Sequence, residues 1–441
     1  MASFANAKDS ERLSGLILSR IEGDRSHVCV QAARIDLKAT SVVRAASACA
    51  THRPDAPPLG ARFEIGSISK AFVGVLAAEM AARGELKRDE PLTALLAPET
   101  GLAKDAVPDI TLADLLTHTS GLPPLPPGFR PAHPLNPYAD VSAPLIYGGL
   151  AQVKLPPREA RRYAYSNWAF LMLSDLLARR AGKPFDELLR ERVLAPLGMH
   201  DTLVARNDAL SLGRFANGVA TPAWDVPVAF AGAGGLRSTI DDMALFARAM
   251  LGDVPDTAPP SLQQALRTSR EKLRDGNAQV DLGWGWHLRK RPGAAPLVFH
   301  NGMTYGASAM LVLDIAQQRG AITLADAGGG FDDLALRILD GSTPLLAARR
   351  PAALDLPLAR AAAGRYQLAP NFILTMSVDD NRLYAQATGQ DRFELLQDAR
   401  GEYYTTGAND ILIRLRRGEA GKVEGLTLFQ GGAALPAPRL E

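Results

Sequence analysis

Cysteine is nearly absent from this chain: 441 residues hold two, Cys29 and Cys49. Disulfides are therefore not expected to be the basis of the fold, which fits a reducing compartment. The two cysteines fall on neighbouring predicted strands, where a cross-strand bridge is geometrically conceivable. The reading taken is the plainer one, two small buried hydrophobes. Histidine is scarce and scattered, seven in all, with no His-Glu-x-x-His and no carboxylate–histidine cluster, so no metal and no cofactor is expected. Charge of one sign is also missing: 49 basic residues face 47 acidic ones. That balance leaves no field to hold nucleic acid, and Arg349-Arg350 and Arg416-Arg417 are isolated pairs. No glycine motif that cradles phosphate is present. The longest apolar run, near residues 71–80, is too short for a membrane span. The first nine residues lack a charged leader and an apolar core, so they do not read as a secretory signal. The expectation is a cytoplasmic protein, unless a leader has been removed. What remains is ordinary for a soluble globular protein of two or three domains, 47% hydrophobic and 22% charged.

One stretch stands out, residues 62–80, RFEIGSISKAFVGVLAAEM. A short alternating segment ends at Gly66. Ser67 follows, then a run that is apolar on most sides and so reads as a buried helix. Its first turn carries Lys70, and a buried lysine costs free energy unless it is paired or neutral. Three residues after a serine on a helix, the amine lies on the same face as the hydroxyl. The N-terminal end of a buried helix also favours developing negative charge. Those are the conditions for a serine that loses a proton and attacks a carbonyl. The pattern Ser-x-x-Lys is weak alone, since chance supplies about one in such a chain. A second, Ser269 to Lys272, lies in a charged stretch and reads as a solvated helix face. The plain alternative for Ser67 is a helix cap beside a snorkelling lysine.

Along the chain, residues 10–21 read as an amphipathic helix, and 28–35 and 40–49 as two strands. Residues 51–60 form a proline-rich loop. A second proline-rich segment, 122–157, cannot form an element interior and reads as a rim or lid, or else a passive surface excursion. Helices are expected near 111–116, 168–180, 186–193 and after Ser238. Strands are expected near 282–288, 297–300, 309–313 and 321–325, and a helix at 332–339. Strands at both ends with a helical middle give an α+β domain: an antiparallel sheet from both termini, flanked by helices, with an all-helical insert. The domain bounds read as 1–345 for this catalytic part, 346–362 for a linker and 363–441 for a C-terminal all-β small barrel.

Two further motifs complete a set. Tyr165-Ser166-Asn167 is the one Tyr-x-Asn in the chain and sits where a loop enters a helix. His300-Asn301-Gly302 is the one His-x-Gly and follows an apolar strand. In the order Ser-x-x-Lys, Tyr-x-Asn, His-x-Gly, over roughly residues 10–340, the chain resembles the penicillin-recognising serine hydrolases. These comprise class C β-lactamases, serine DD-carboxypeptidases and related esterases and acyltransferases. Lesser echoes are His118-Thr-Ser-Gly-Leu122, Leu197-Gly-Met199 and Gly234-Gly-Leu-Arg-Ser238. The last part resembles the lipocalin-like barrel of some members. The resemblance implies that Ser67 is the acylated nucleophile, with Lys70 and Tyr165 sharing proton transfer, the base being one or the other. Asn167 would hold the substrate amide and help fix Lys70. The backbone N–H groups of Ser67 and Met303 would form the oxyanion hole. Asn301 and Gly302 would lie along the substrate, and Gly302 would admit its backbone closely. His300 departs from the lysine of many β-lactamases. At the cleft rim, only partly charged at pH 7, it would grip a substrate carboxylate less permanently.

The expected function is acyl-enzyme hydrolysis or transfer on amides, esters or β-lactams, peptide-like and D-configured. The rivals are a cytosolic thioesterase or cyclase that releases a ring from a carrier-bound peptide, and a sensor that acylates without turnover. The partner expected is a small-molecule or peptide substrate, with no nucleic acid and no membrane span.

Overall fold

The structure is a computed structural model. It describes residues 7–21, 28–38, 42–50, 57–58, 60–96, 107–204, 213–214, 220–346, 350–369, 372–389, 392–405, 411–430 and 433–440. The first six residues, most of the 51–60 loop and Arg349 lie outside them.

An eight-stranded antiparallel sheet forms the frame. Its order is Val42–Cys49, Cys29–Asp36, Arg319–Ala325, Ser308–Asp314, Ala294–Met303, His287–Arg291, Val280–Leu282 and Arg274–Asp275. The N-terminal hairpin thus docks on the late strands, with Val30 opposite Ala325. Both faces of the central strands are covered. On one face Leu13, Ile17 and Ile21 of helix Ala7–Ile21 and Leu334, Ala335 and Ile338 of helix Asp332–Asp340 pack on Val30, Ala32 and Val312. On the other face Ile35, Leu311 and Leu324 meet Met243, Ala247 and Met250 of helix Ile240–Leu251. That helix is capped by Thr239, whose hydroxyl accepts the Asp242 N–H, removing one orphan donor of the first turn.

The register sets Cys29 directly opposite Cys49, and the two form a disulfide. This corrects the reading of two unbridged hydrophobes. The Cys29 N–H and carbonyl are both turned the other way, to Asp326. The pair is therefore a non-hydrogen-bonded one across the hairpin, where side chains come closest.

Helix Ser69–Ala82 runs through the middle of the larger core, and twelve consecutive side chains, Ser69 to Met80, are buried. It lies against the turn Gly283-Trp284-Gly285, which interrupts what reads from sequence as one strand, 282–288. A β-carbon at Gly74 would overlap the Trp284 carbonyl, and one at Gly285, which has φ +71, would overlap that of Lys70. Two glycines therefore set the depth of the helix against the sheet end. Helix Asn167–Ala181 packs beside it, with Phe170, Leu173 and Leu177 in the same core. Helix Pro260–Thr268 ends at Ser269, whose hydroxyl is buried and whose carbonyl takes the Trp284 N–H. Ser269 to Lys272 is thus a helix end folding into a turn and not a solvated helix face, because the glycine turn needs that carbonyl.

The C-terminal part is a closed barrel of eight antiparallel strands, Gly364–Ala369 to Ala433–Leu440. It has a core of its own, including Tyr366, Met376, Leu383, Ile413 and Leu426. Residues 356–362, placed in the linker from composition, form helix Leu356–Ala362, whose Ala359 and Ala362 join that core. The Tyr366 hydroxyl donates to the Ala362 carbonyl at 2.6 Å.

Candidate active site

Gly66 is where the short strand Phe63–Glu64 turns into the buried helix. Its φ is +48, and a β-carbon there would lie 2.6 Å from the Met303 nitrogen. A β-carbon at Gly302 would lie 2.8 Å from the Ser67 nitrogen. Two glycines therefore let the turn and strand Ala294–Met303 approach closely enough to bring the Ser67 and Met303 backbones together. That is the arrangement an oxyanion hole requires. The turn is tied down by Ser69, whose hydroxyl donates to the Gly66 carbonyl at 2.7 Å and accepts the Leu236 N–H at 3.2 Å.

Ser67 is half-buried and lines the cleft, while Lys70 beneath it is fully buried. Lys70 Nζ–H donates to Ser67 Oγ at 2.9 Å and, more closely, to the Ala233 carbonyl. No carboxylate pairs with it among the described residues. Nζ instead lies 5.0 Å from the Tyr165 ring centroid and 5.7 Å from that of Phe170. Burial holds its pKa well below the ordinary lysine value, because an apolar setting disfavours the charged amine. The Tyr165 hydroxyl bonds Ser67, and burial pushes its pKa up. Lys70 and Tyr165, far apart in sequence, thus both reach the Ser67 side chain.

The Tyr165 segment is held by His118, which is buried with φ +54. Its Nδ1 accepts the Ser166 N–H at 3.0 Å, its carbonyl accepts the Ala164 N–H at 2.8 Å, and its ring lies 4.4 Å from that of Tyr165. Burial holds its pKa well below the ordinary histidine value. The His-Thr-Ser-Gly signal was visible in sequence, but this clasp was not. Ser166 caps the helix that follows, accepting the Ala169 N–H.

His300 is not at the rim. It is 1% exposed, sits 5.0 Å from the His287 ring and 6.5 Å from that of Tyr165, and contacts the Asn301 carbonyl through Nδ1 at 2.6 Å. Burial holds its pKa well below the usual histidine value. Strand alternation explains this: His300 and Gly302 face inward while Asn301 and Met303 are exposed. His300 thus backs Tyr165 as a neutral ring and presents no charge to a substrate carboxylate. Asn301 donates to Asp332 at 2.8 Å, on the outer side of the strand. Asn167 does not reach Lys70: its Nδ2–H goes to the Tyr138 hydroxyl at 3.0 Å.

The pocket at Ser67, about 80 Å³, is lined by Tyr138, Asn167, Leu171, Trp224, Val226 and Met303 among others, with no charged residue among the described residues of its wall. Tyr138 and Trp224 were not picked out from sequence. Among the described residues no cluster of His, Cys, Asp or Glu is disposed to hold a metal, and no helix is long and apolar enough to cross a membrane.

A sequence profile described as Beta-lactamase matches residues 32–342. The D-alanyl-D-alanine-carboxypeptidase/endopeptidase AmpH of Escherichia coli (strain K12) is 32% identical over 188 residues, 42% of this chain and 48% of that protein. The match thus spans about half of that relative. A class C beta lactamase from Rhodobacter sphaeroides superposes with a TM-score of 0.62 at 20% identity, over 75% of this chain and 97% of its own. A structure titled SurE with D-Leu covers 99% of this chain and 100% of its own, with a TM-score of 0.58 at 19% identity.

Proposed function

The chain belongs to the Beta-lactamase family and is a serine hydrolase, and on that premise we propose that it works through an acyl-enzyme on Ser67, on peptide-like amides and esters built on D-configured residues. The observation that carries this is the convergence of Lys70 and Tyr165 on the Ser67 oxygen. Burial divides the proton work between them. It disfavours the charged form of each, which suits Lys70 to accept a proton and Tyr165 to hold one for donation. Lys70 then takes the Ser67 proton across the 2.9 Å contact, and Tyr165 donates to the departing group. The oxyanion of the tetrahedral intermediate is received by the Ser67 and Met303 N–H groups. Water completes the cycle by the same route in reverse.

Two features bear on the substrate. The pocket wall is uncharged and His300 is neutral, so neutral esters and internal amides suit the cleft better than a free carboxylate or a β-lactam acid. D-Leu accompanies the structural neighbour that spans both domains, which supports an apolar D-residue at the cleft. A second reading is transfer of the acyl group to an amine of the same peptide, releasing a ring from a carrier-bound thioester. The Cys29–Cys49 disulfide supports an oxidising compartment over the cytoplasm, and thiol titration of protein taken from its own host tests that point.

A chromogenic aryl ester of a D-amino acid derivative tests the main reading. The expected result is a burst equal to the enzyme concentration followed by steady turnover. A burst with no turnover would instead identify an acylating sensor. A cyclic product from a peptidyl thioester would select the transferase, and no burst at all would end the acyl-enzyme reading.

A further inference from the structure

We propose that the cavity where helix Ala7–Ile21, strand Cys29–Asp36 and helix Asp332–Asp340 meet is a second ligand site, built for a phosphate monoester on a hydrocarbon arm. The cavity is about 180 Å³. Arg12 reaches it from the first helix, Arg34 from the strand and Arg337 from the second helix, and no carboxylate lines it among the described residues. Three cations gathered without an anion repel one another, a cost that an arriving anion removes. Strand alternation brings Arg34 there. Val30 and Ala32 pack under the two helices, and Arg34 continues the same face two residues on. Ile35 faces the other way, into the core that holds helix Ser69–Ala82. The cavity therefore lies on the opposite face of the sheet from that helix.

Arg34 is half-buried, yet it and Arg12 meet no carboxylate and no carbonyl among the described residues. Arg337 has one partner among them, the Thr343 carbonyl at 3.2 Å. The carboxylates of the surrounding elements are committed elsewhere. Asp36 is held by Arg319 at 2.9 Å, and Asp333 pairs with Arg20 at 2.7 Å. Asp332 takes the Asn301 Nδ2–H, and Asp340 takes the Ser342 and Thr343 N–H groups. Glu11 is exposed beside Arg12 in sequence, but successive helix positions do not face each other. The hairpin register adds a fourth arginine, Arg44, directly opposite Arg34, a position where like charges destabilise. The lining selects the ligand. A guanidinium fork binds carboxylate or phosphate through two parallel N–H bonds. Three forks exceed what one carboxylate accepts, whereas a phosphate monoester brings three terminal oxygens and close to two charges. Leu13 and Ile338 form an apolar floor and Leu16 a half-buried wall. An ester arm of a few methylene groups covers that surface, and bare phosphate does not. A membrane lipid headgroup and a soluble phosphate ester share this chemistry.

The test is titration calorimetry on the full chain with hexyl phosphate and with inorganic phosphate. One hexyl phosphate should bind per chain, about tenfold or more tighter than inorganic phosphate, the worth of two buried methylenes. Arg34→Met keeps an apolar stem against the floor and removes the charge, and should weaken hexyl phosphate by about tenfold or more, the size of a hydrogen bond to a charged group. Arg12→Met, at an exposed helix position, should weaken it too without disturbing the fold. Denaturant unfolding without ligand separates a binding arginine from a structural one. Arg34→Met should unfold at the wild-type denaturant concentration or above it, because repulsion is relieved. A lower midpoint would mean that the protein itself pairs Arg34 and would overturn the proposal. So would no binding to the wild type, equal affinity for the two phosphates, or binding that neither variant weakens. Sedimentation with phosphatidylcholine vesicles, with and without phosphatidic acid, identifies the source. Pelleting only with the acid supports a membrane lipid, and hexyl phosphate binding without pelleting supports a soluble ester. Ser67→Ala should bind hexyl phosphate as the wild type does, which keeps this outcome independent of the acyl-enzyme reading. Lost binding in that variant would place the ligand in the catalytic cleft and overturn the second site.

Discussion

At the scale of single residues the proposed chemistry falls on Lys70. A protonated amine cannot accept the Ser67 proton, so acylation should fall as pH drops through the Lys70 pKa. Burial lowers that pKa, so the acidic limb should lie well below the ordinary lysine value of about 10.4. Tyr165, raised by burial, stays protonated on the alkaline side and contributes no limb there. Lys70→Ala should slow acylation by roughly 10²–10⁴-fold, the range for loss of a general base, with the acidic limb lost, as a pre-steady-state pH profile would read. A limb that survives in Lys70→Ala would transfer the role elsewhere. Ser67 and Lys70 were legible as a pair because their spacing is local, one turn apart where the Gly66 turn enters helix Ser69–Ala82, and Tyr165 stands just before the Ser166 cap of helix Asn167–Ala181. The direction of a side chain was harder to read. His300 reads from sequence as a rim residue, yet it is buried and turned inward, since strand alternation around Gly302 could not be phased without the sheet. Tyr138 and Trp224 carry no motif at all, and only packing across the proline-rich segment brings them to Ser67.

Helix Ser69–Ala82, which carries Lys70 and follows the turn that holds Ser67, is placed by glycines, one of its own and others on the elements it touches. Gly74 meets the Trp284 carbonyl with no room for a methyl group, and backbone cannot yield as a flexible side chain can. Gly74→Ala should destabilise the protein by about 1–3 kcal/mol, the usual cost of overpacking. It should also cut acylation out of proportion, because the helix must slide relative to the turn that supports Lys70. Denaturant unfolding and the acylation rate measured on the same sample check this, and a variant as stable and as fast as wild type would refute it. At this scale the periodic helices were readable, since their apolar stripes are long. The interrupted strand 282–288 was not, because two tryptophans flanking Gly285 mimic a buried strand. The last barrel strand, Ala433–Leu440, was missed for a physical reason. Pro436 and Pro438 weigh against a strand in the middle of a sheet, yet this one pairs with Val423–Gln430 along its length and with Gly364–Ala369 over two residues to close the barrel.

The whole molecule is a catalytic domain and a barrel whose cores share no residue. Tyr366, buried and bonded to helix Leu356–Ala362, belongs to the second core. Tyr366→Ala should cost about 3–5 kcal/mol, as for other large aromatic deletions. Calorimetry should show that loss in a transition separate from the one that abolishes Ser67 labelling; a single merged transition would contradict independent cores. The division was readable because strand-and-turn spacing replaces helical periodicity after Gly364. The sheet built from both termini was readable too, since strand-like runs bracket a helical middle. The Cys29–Cys49 disulfide was not, because it depends on a register that one shifted residue would have undone.

The most direct measurement is the intact mass and peptide map of the protein after brief exposure to an aryl ester or a fluorescent penicillin. One acyl group per chain is predicted, mapped to Ser67, absent from Ser67→Ala, and accumulating far more slowly in Lys70→Ala. An adduct that persists in Ser67→Ala, or that maps to another residue, would contradict the account.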